Sequence, residues 1–145
     1  MDTHRDSARE WLVTTALAYL GTPYVWGGDD PSGFDCSGLV VECLKSVGLL
    51  DSVDLSADGL LVKFRDYAVA QPARGCLVFL LDRAGKARHV GICLDRWHFI
   101  EAGGGDNSVA DQSAAWKRNA FVRIRPLPNP GSRRIVCDPI SALKE

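Results

Sequence analysis

Apolar residues recur at helical spacing in two stretches near the start of the chain. The first covers residues 5–20 and the second covers residues 36–47, and a glycine directly follows each. Residues 21–33, which lie between them, are dense in Gly and Pro, as is typical of a loop. The pattern therefore predicts two amphipathic helices joined by a long loop, followed by a short helical turn near residues 57–65.

Beyond residue 75 the apolar pattern changes to that of short strands. Residues 77–81 form a continuous apolar run, and residues 89–94 alternate between apolar and other side chains, as a half-buried strand does. Further strands are predicted at residues 98–102 and 121–125, with a flexible glycine-rich turn after the first of these two. Helices first and strands afterwards indicate an α+β domain in which N-terminal helices pack on an antiparallel β-sheet.

Composition places these elements in one domain. The chain has 145 residues, of which 46% are hydrophobic and 24% are charged, and its formal net charge is −1. We expect the domain to span residues 1–127, and the tail, residues 128–145, to belong to it or to be partly disordered. Residues 112–145 are basic, with seven Lys and Arg against two Asp and Glu, which fits either a solvated surface or contact with an anionic polymer.

The same figures argue against several classes of protein. No apolar stretch approaches the roughly 20 residues that a membrane-spanning helix needs. The near-neutral charge argues against a nucleic-acid-binding protein. The first residues lack the apolar segment of a secretory signal, so we expect synthesis in the cytoplasm without a visible signal peptide.

The five cysteines are the first indication of chemistry: Cys36, Cys43, Cys76, Cys93 and Cys137. Their odd number and the lack of a C-x-x-C pair argue against a disulfide framework and a metal site, and no cofactor is expected. Cys36 follows the glycine-rich loop and opens a predicted helix. The partial positive charge and unpaired N–H groups at a helix N-terminus favour a thiolate and can hold an oxyanion. Cys36 is therefore the candidate nucleophile.

A thiolate of this kind needs a histidine partner, and His89 is the best placed of the three histidines. If residues 95–97 form a three-residue hairpin loop, Gly91 pairs with Glu101. His89 and Glu101 then share one face of the sheet as diagonal neighbours, whereas a two-residue loop would put them on opposite faces. The apolar pattern favours the longer loop, so Glu101 is predicted to orient His89. The alternatives are a structural histidine and an exposed carboxylate at a strand end.

Three motifs resemble those of the NlpC-type family of cell-wall cysteine peptidases. They are Gly-Thr-Pro-Tyr-Val-Trp-Gly-Gly at 21–28, Gly-Phe-Asp-Cys-Ser-Gly-Leu-Val at 33–40 and His-Val-Gly-Ile at 89–92. The resemblance implies a bacterial or phage protein with a minimal papain-like fold. It also implies hydrolysis of peptidoglycan stem peptides at the γ-D-glutamyl–diaminopimelate bond, through a covalent thioester.

The resemblance also implies roles for individual residues. Cys36 matches the nucleophile and His89 the general base. Glu101 falls where members of the family more often have His, Asn or Gln, but a carboxylate can still hold the imidazole. Tyr24 matches a tyrosine whose hydroxyl is expected near the oxyanion.

Four further residues are implied to contact substrate or to line its cleft. Asp35 and Ser37 match positions that help to hold the amino end and the D-glutamyl group of the stem peptide. Arg88 stands where the family commonly has Ser, and this cation is expected to affect which stem peptides are preferred. Trp26 either lines the cleft or is an ordinary packing residue.

Two other functions remain open from the sequence. One is a thiol acyltransferase or amidase acting on another amide or ester, although the order of Cys before His favours the peptidase. The other is a non-catalytic domain that binds the wall or a partner. The sequence indicates no protein partner, such as delivery machinery, a phage tail or an immunity protein. A wall substrate implies action in the periplasm or cell wall after delivery by another route, or recycling of muropeptides in the cytoplasm.

Overall fold

The computed structural model describes residues 3–30, 32–51 and 54–143. The helices are α1 (Thr3–Ala18), α2 (Cys36–Ser46), α3 (Ala57–Phe64) and α4 (Gln112–Arg118), and 3₁₀ turns cover Arg65–Tyr67 and Pro139–Ala142. The strands are β1 (Asp29–Asp30), β2 (Gly33–Phe34), β3 (Leu77–Leu81), β4 (Ala87–Cys93), β5 (His98–Gly103), β6 (Phe121–Pro126) and β7 (Arg134–Cys137).

The larger sheet has the strand order β6-β5-β4-β3-β7, and all neighbours are antiparallel. Helix α2 packs on β4 and β5, helix α3 packs on β4, and α1 lies against α2. Strands β1 and β2 form a separate short hairpin beside α2. The predicted α+β class and the predicted antiparallel sheet are therefore confirmed.

Both faces of the larger sheet are buried. Val90, Ile92 and Ile100 belong to the main core, which α2 covers with apolar side chains such as Leu39. The alternate positions of the strands form a second cluster, whose buried members are Cys76, Val78, Cys93, Phe99 and Val136. Because β3, β4, β5 and β7 each contribute to both clusters, the register of these four strands is strongly specified.

The register between β4 and β5 is the one that the three-residue loop predicted. Ile92 pairs with Ile100, Cys93 pairs with Phe99, and the N–H of Leu94 donates to the carbonyl of His98 at 2.9 Å. This pairing is confirmed, and it brings the side chains of residues 89 and 101 to the same face.

The tail continues the fold beyond residue 127. Strand β7 pairs with β3 along its whole length, so the tail supplies an edge strand of the larger sheet. Arg9 holds the following turn through two hydrogen bonds to the Asp138 carboxylate, at 2.9 and 3.0 Å. Apolar alternation is weak in the short segment 134–137, which explains why the sequence predicted no element there.

Helix α4 is a further difference from the prediction, which gave no helix between residues 107 and 121. Asp111 caps it by accepting from the N–H of Ala114 at 2.8 Å, and Asn119 ends it in the left-handed conformation. With only seven residues, it is too short to show a helical period. Among the residues described, no helix combines the length and apolar character needed to cross a bilayer.

Candidate active site

Asp35 fixes the start of the helix that carries Cys36. Its Oδ1 accepts from the N–H of Gly38 at 2.7 Å, which caps α2, and its Oδ2 accepts from the N–H of Gly27 at 3.1 Å. One carboxylate therefore joins the glycine-rich loop to the helix. Burial raises the pKa of Asp35, and the hydrogen bonds from Gly38, Gly27 and Ser37 oppose that shift.

The loop and the helix start are in close contact. A Cβ added at Gly38 would overlap the backbone carbonyl of Gly28, and one added at Gly28 would overlap the carbonyl of Gly33. Glycine is needed at these positions because backbone occupies the space of a side chain. The packing leaves Cys36 half-buried, at the first residue of α2.

His89 lines the cleft together with Cys36 and is hydrogen-bonded to Glu101. Its Nε2 lies 3.0 Å from Oε1 of Glu101. An ionised carboxylate can only accept, so Nε2 carries the hydrogen and Nδ1 is the nitrogen left for Cys36. The ring of Phe99, which fills the space beside Gly91, contacts the imidazole edge-on.

This pairing shifts the protonation of the histidine. Burial lowers the pKa of His89, but the hydrogen bonds and negative charges of Cys36 and Glu101 outweigh it and raise the pKa from 6.5 to about 9. The pKa of Glu101 is lowered, because His89 and Arg123 together outweigh the effect of burial. The site therefore favours an imidazolium beside an ionised Glu101 at neutral pH.

Arg123 is a site residue that the sequence reasoning missed. Its Nε donates to Oε2 of Glu101 at 3.1 Å, and it lies directly opposite Glu101 across the β5–β6 pair. The feature of the sequence that could have identified Arg123 is its positive charge on the strand that follows Glu101. Residues 104–120 separate the two strands, however, and the sequence alone does not set their register.

Tyr24 is 5% exposed and lies in the wall of the cleft. A Cβ at Gly105 would overlap its ring, so the glycine-rich turn after β5 makes room for the tyrosine. Burial, with the negative charges of Cys36 and Asp35, raises the pKa of Tyr24 well above its usual range. Its hydroxyl therefore stays protonated and can donate.

A β-bulge brings Arg88 to the cleft. Leu80 pairs with His89 and Leu81 with Ala87, so Arg88 is the extra, unpaired residue of β4. Arg88 is exposed and lines the cleft beside His89. Bulges commonly redirect side chains next to active sites.

All eight residues singled out in the sequence line one open cleft of about 770 Å³: Tyr24, Trp26, Asp35, Cys36, Ser37, Arg88, His89 and Glu101. Trp26, at 57% exposure, stands in the cleft wall with most of its ring in solvent. Ser37 is half-buried, and its hydroxyl lies 3.3 Å from Oδ1 of Asp35. Arg123 completes the set on the far side of Glu101.

Selective alkylation should identify the thiol of the cleft. Burial raises the pKa of Cys43 and of Cys93 to about 12, and that of Cys137 to about 11. With iodoacetamide at pH 6, we expect Cys36 to react at least about 1,000-fold faster than the buried thiols. Peptide mapping by mass spectrometry measures the rates, with protein in denaturant as the control in which all five cysteines react. Equal labelling of a second cysteine in the folded protein would contradict this expectation.

The geometry agrees with the comparison to known families. Residues 21–125 match the NlpC/P60 family. The chain belongs to this family. The matched residues include Cys36, His89 and Glu101, and the match ends before β7.

Curated relatives are longer proteins of bacterial origin. The chain is 37% identical over 115 residues to protein P54 of Enterococcus faecium, covering 77% of this chain and 21% of that protein. It is 32% identical over 107 residues to the probable peptidoglycan endopeptidase LytE of Bacillus subtilis, covering 73% of this chain and 31% of that protein. This NlpC/P60 chain therefore spans only a fifth to a third of these two relatives.

Solved NlpC/P60 structures have the same fold. The P60 domain of an antigen from M. avium subspecies paratuberculosis aligns with a TM-score of 0.70 at 25% identity, covering 94% of this chain and 97% of that one. The peptidoglycan hydrolase RipB of Mycobacterium tuberculosis aligns with a TM-score of 0.71 at 25% identity, covering 94% of this chain and 67% of that one.

Proposed function

We propose that this NlpC/P60 protein is a cysteine peptidase that hydrolyses peptidoglycan stem peptides at the γ-D-glutamyl–diaminopimelate bond. One observation carries the proposal: Cys36, His89 and Glu101 line the same open cleft, and Glu101 is hydrogen-bonded to Nε2 of His89 at 3.0 Å. A relative from Bacillus cereus, 33% identical over 107 residues, is named as a γ-D-glutamyl-L-lysine dipeptidyl-peptidase, which supports the bond class. Such a substrate implies action at the cell wall.

In the first half of the reaction, Cys36 becomes acylated. The thiolate attacks the γ-carbonyl carbon of the D-glutamyl residue, and a C–S bond forms. The C–N bond then breaks, and the leaving amine takes the proton that the His89 imidazolium donates. Glu101 holds Nε2 of His89, so that Nδ1 faces the sulfur and the leaving nitrogen throughout.

In the second half, water releases the product. Neutral His89 takes a proton from water, and the hydroxide attacks the thioester carbon. The C–S bond breaks, which frees the carboxylic acid and restores the ion pair of thiolate and imidazolium. The same imidazole thus donates a proton in acylation and accepts one in deacylation.

Two groups are available for the oxyanion that forms during both attacks. The backbone N–H groups at the start of α2 lie next to the sulfur, and they carry the positive end of the helix dipole. The Tyr24 hydroxyl is the second donor, because its raised pKa keeps it protonated. Together they supply the pair of donors that acyl transfer needs.

Charged and polar side chains on the cleft wall supply contacts for the stem peptide. Arg88 is exposed beside His89, and we assign it to a carboxylate of the substrate. Asp35 and Ser37, next to the nucleophile, are assigned to the free amino end and the D-glutamyl group. The exposed ring of Trp26 offers an apolar surface to the peptide.

Product analysis by mass spectrometry tests this proposal. L-Ala-γ-D-Glu-diaminopimelate should yield L-Ala-γ-D-Glu and diaminopimelate, and intact sacculi should release fragments cut at the same bond. Arg88→Met should lower kcat/KM about 10-fold for a stem peptide with a free carboxylate. The effect should be much smaller for the same peptide with that carboxylate amidated, because an amide makes no charge-assisted hydrogen bond to Arg88. Lys86→Met, which alters a neighbouring cation outside the cleft lining, should behave like the wild type.

Three results would contradict the proposal. Cleavage at another bond would exclude the assigned specificity. Transfer of the acyl group to added amines in preference to water would indicate an acyltransferase. Binding of sacculi without any cleavage would indicate a domain like RipD of Mycobacterium tuberculosis, which is described as a non-catalytic NlpC/p60 domain adapted to peptidoglycan binding and is 18% identical.

A further inference from the structure

The carboxylate of Glu101 has a second partner that the reaction scheme does not use. Oε1 faces His89 at 3.0 Å, and Oε2 accepts from Nε of Arg123 at 3.1 Å. Glu101 is 6% exposed, whereas about a third of the Arg123 side chain reaches solvent at the cleft. We propose that Arg123 is a positioning residue: it fixes the rotamer of Glu101 and balances its charge, and so sets both the orientation and the proton affinity of His89. This inference rests on the proposed peptidase function.

The structure makes specific room for this ion pair. A Cβ at Gly103 would overlap Oε2 of Glu101, and a Cβ at Gly104 would lie 3.2 Å from one terminal nitrogen of Arg123. The guanidinium therefore lies over two glycines at the end of β5. A glutamate side chain has more rotatable bonds than the Asn that the family often has here, so it needs a second contact to stay aligned.

The positive charge of Arg123 gives a second reason for its contact with Glu101. A buried carboxylate facing only His89 would hold the imidazolium proton strongly, and a strongly held proton is given up slowly to the leaving amine. The Arg123 cation offsets part of that negative charge. The groups around His89 are Cys36 on α2, Glu101 on β5 with Arg123 on β6 behind it, and Arg88 beside it on β4, while Tyr24 and Asp35 adjoin Cys36.

Substitution of Arg123 should therefore change a pH profile as well as a rate. In Arg123→Met we expect kcat/KM to fall about 10-fold. In a plot of kcat/KM against pH, the alkaline limb reports deprotonation of His89. In Arg123→Met this limb should move to higher pH by about one unit. Arg123→Lys keeps the charge and should keep the wild-type limb. Arg125 lies on the same strand but outside the cleft lining, so Arg125→Met is the matched control. It should match the wild type in the value of kcat/KM and in the position of the alkaline limb.

A double-mutant cycle separates this role from general stabilisation. If Arg123 acts through Glu101, Arg123→Met should reduce kcat/KM less than about twofold further in a Glu101→Gln background. An NMR titration of the His89 ring in Arg123→Met should show the same upward shift without any turnover. Thermal melting of each variant verifies folding, and Arg123→Lys keeps the test available if the Met variant does not fold.

Two results would overturn the inference. One is an alkaline limb that is unchanged or lower in Arg123→Met. The other is an equal loss of activity from Arg123→Met with and without Glu101→Gln. Failure of the proposed function is a separate outcome, because then no variant, including the wild type, would cleave the stem peptide.

Discussion

Replacing Cys36 by Ala should abolish hydrolysis of the diaminopimelate-containing stem peptide. The thiolate forms the covalent bond to substrate, and no other described thiol lies in the cleft. We expect kcat/KM to fall by more than about 1,000-fold, to the background that binding and the oxyanion donors alone provide. Loss of substrate and appearance of L-Ala-γ-D-Glu, followed by chromatography and mass spectrometry, measure the effect.

Cys43→Ala is the matched control for that variant. Cys43 lies two helical turns further along α2, on the same side of the helix, but it is fully buried in the main core. Removing its sulfur should lower the free energy of unfolding by about 1 kcal/mol and leave turnover intact. Residual activity of Cys36→Ala near the level of Cys43→Ala would refute the assignment of the nucleophile.

Gly38→Ala should be the most damaging small substitution for the fold around the site. A methyl group there would overlap the carbonyl of Gly28, and backbone cannot move aside as a flexible side chain can. We expect the free energy of unfolding to fall by about 3 kcal/mol, even though alanine favours a helix over glycine by about 1 kcal/mol. Denaturant unfolding measures the loss, and turnover should fall with it because Cys36 is displaced.

Gly59→Ala provides an unusually close comparison. Gly59 occupies the same third position in α3, where its N–H donates to Oγ of the capping Ser56 at 3.0 Å. A Cβ at Gly59 would meet only side-chain atoms, the nearest being Leu55 Cδ2 at 3.3 Å. We expect a change within about 0.5 kcal/mol. Equal destabilisation by both substitutions would mean that the contact with Gly28 is unimportant.

The reactive part of the site was predictable because it depends on local patterns. The nucleophile follows a glycine-rich loop and begins a periodic helix, which identifies Cys36 among five cysteines. The loop at residues 95–97 sets a register that the structure reproduces, and this register places His89 beside Glu101. The apolar period of a helix, the residues at its start and the length of a hairpin loop each involve only a few neighbouring residues. They can therefore be identified from a single sequence.

The missed features depend on contacts between distant segments. Arg123 meets Glu101 because β6 pairs with β5, and residues 104–120, which contain α4, separate these two strands in the sequence. Strand β7 joins the sheet beside β3, which lies more than fifty residues earlier in the sequence. Neither pairing has a short loop to specify it, so tertiary packing decides both.

The contact between the two ends of the described chain has a practical consequence. A guanidinium nitrogen of Arg5 donates to the carbonyl of Leu143 at 3.2 Å, and Arg9 binds Asp138 nearby. Every residue that lines the cleft falls within 24–123. Two probes attached beside Arg5 and beside Leu143 would therefore sit close together on the fold, so a distance measured between them would report whether this contact is intact.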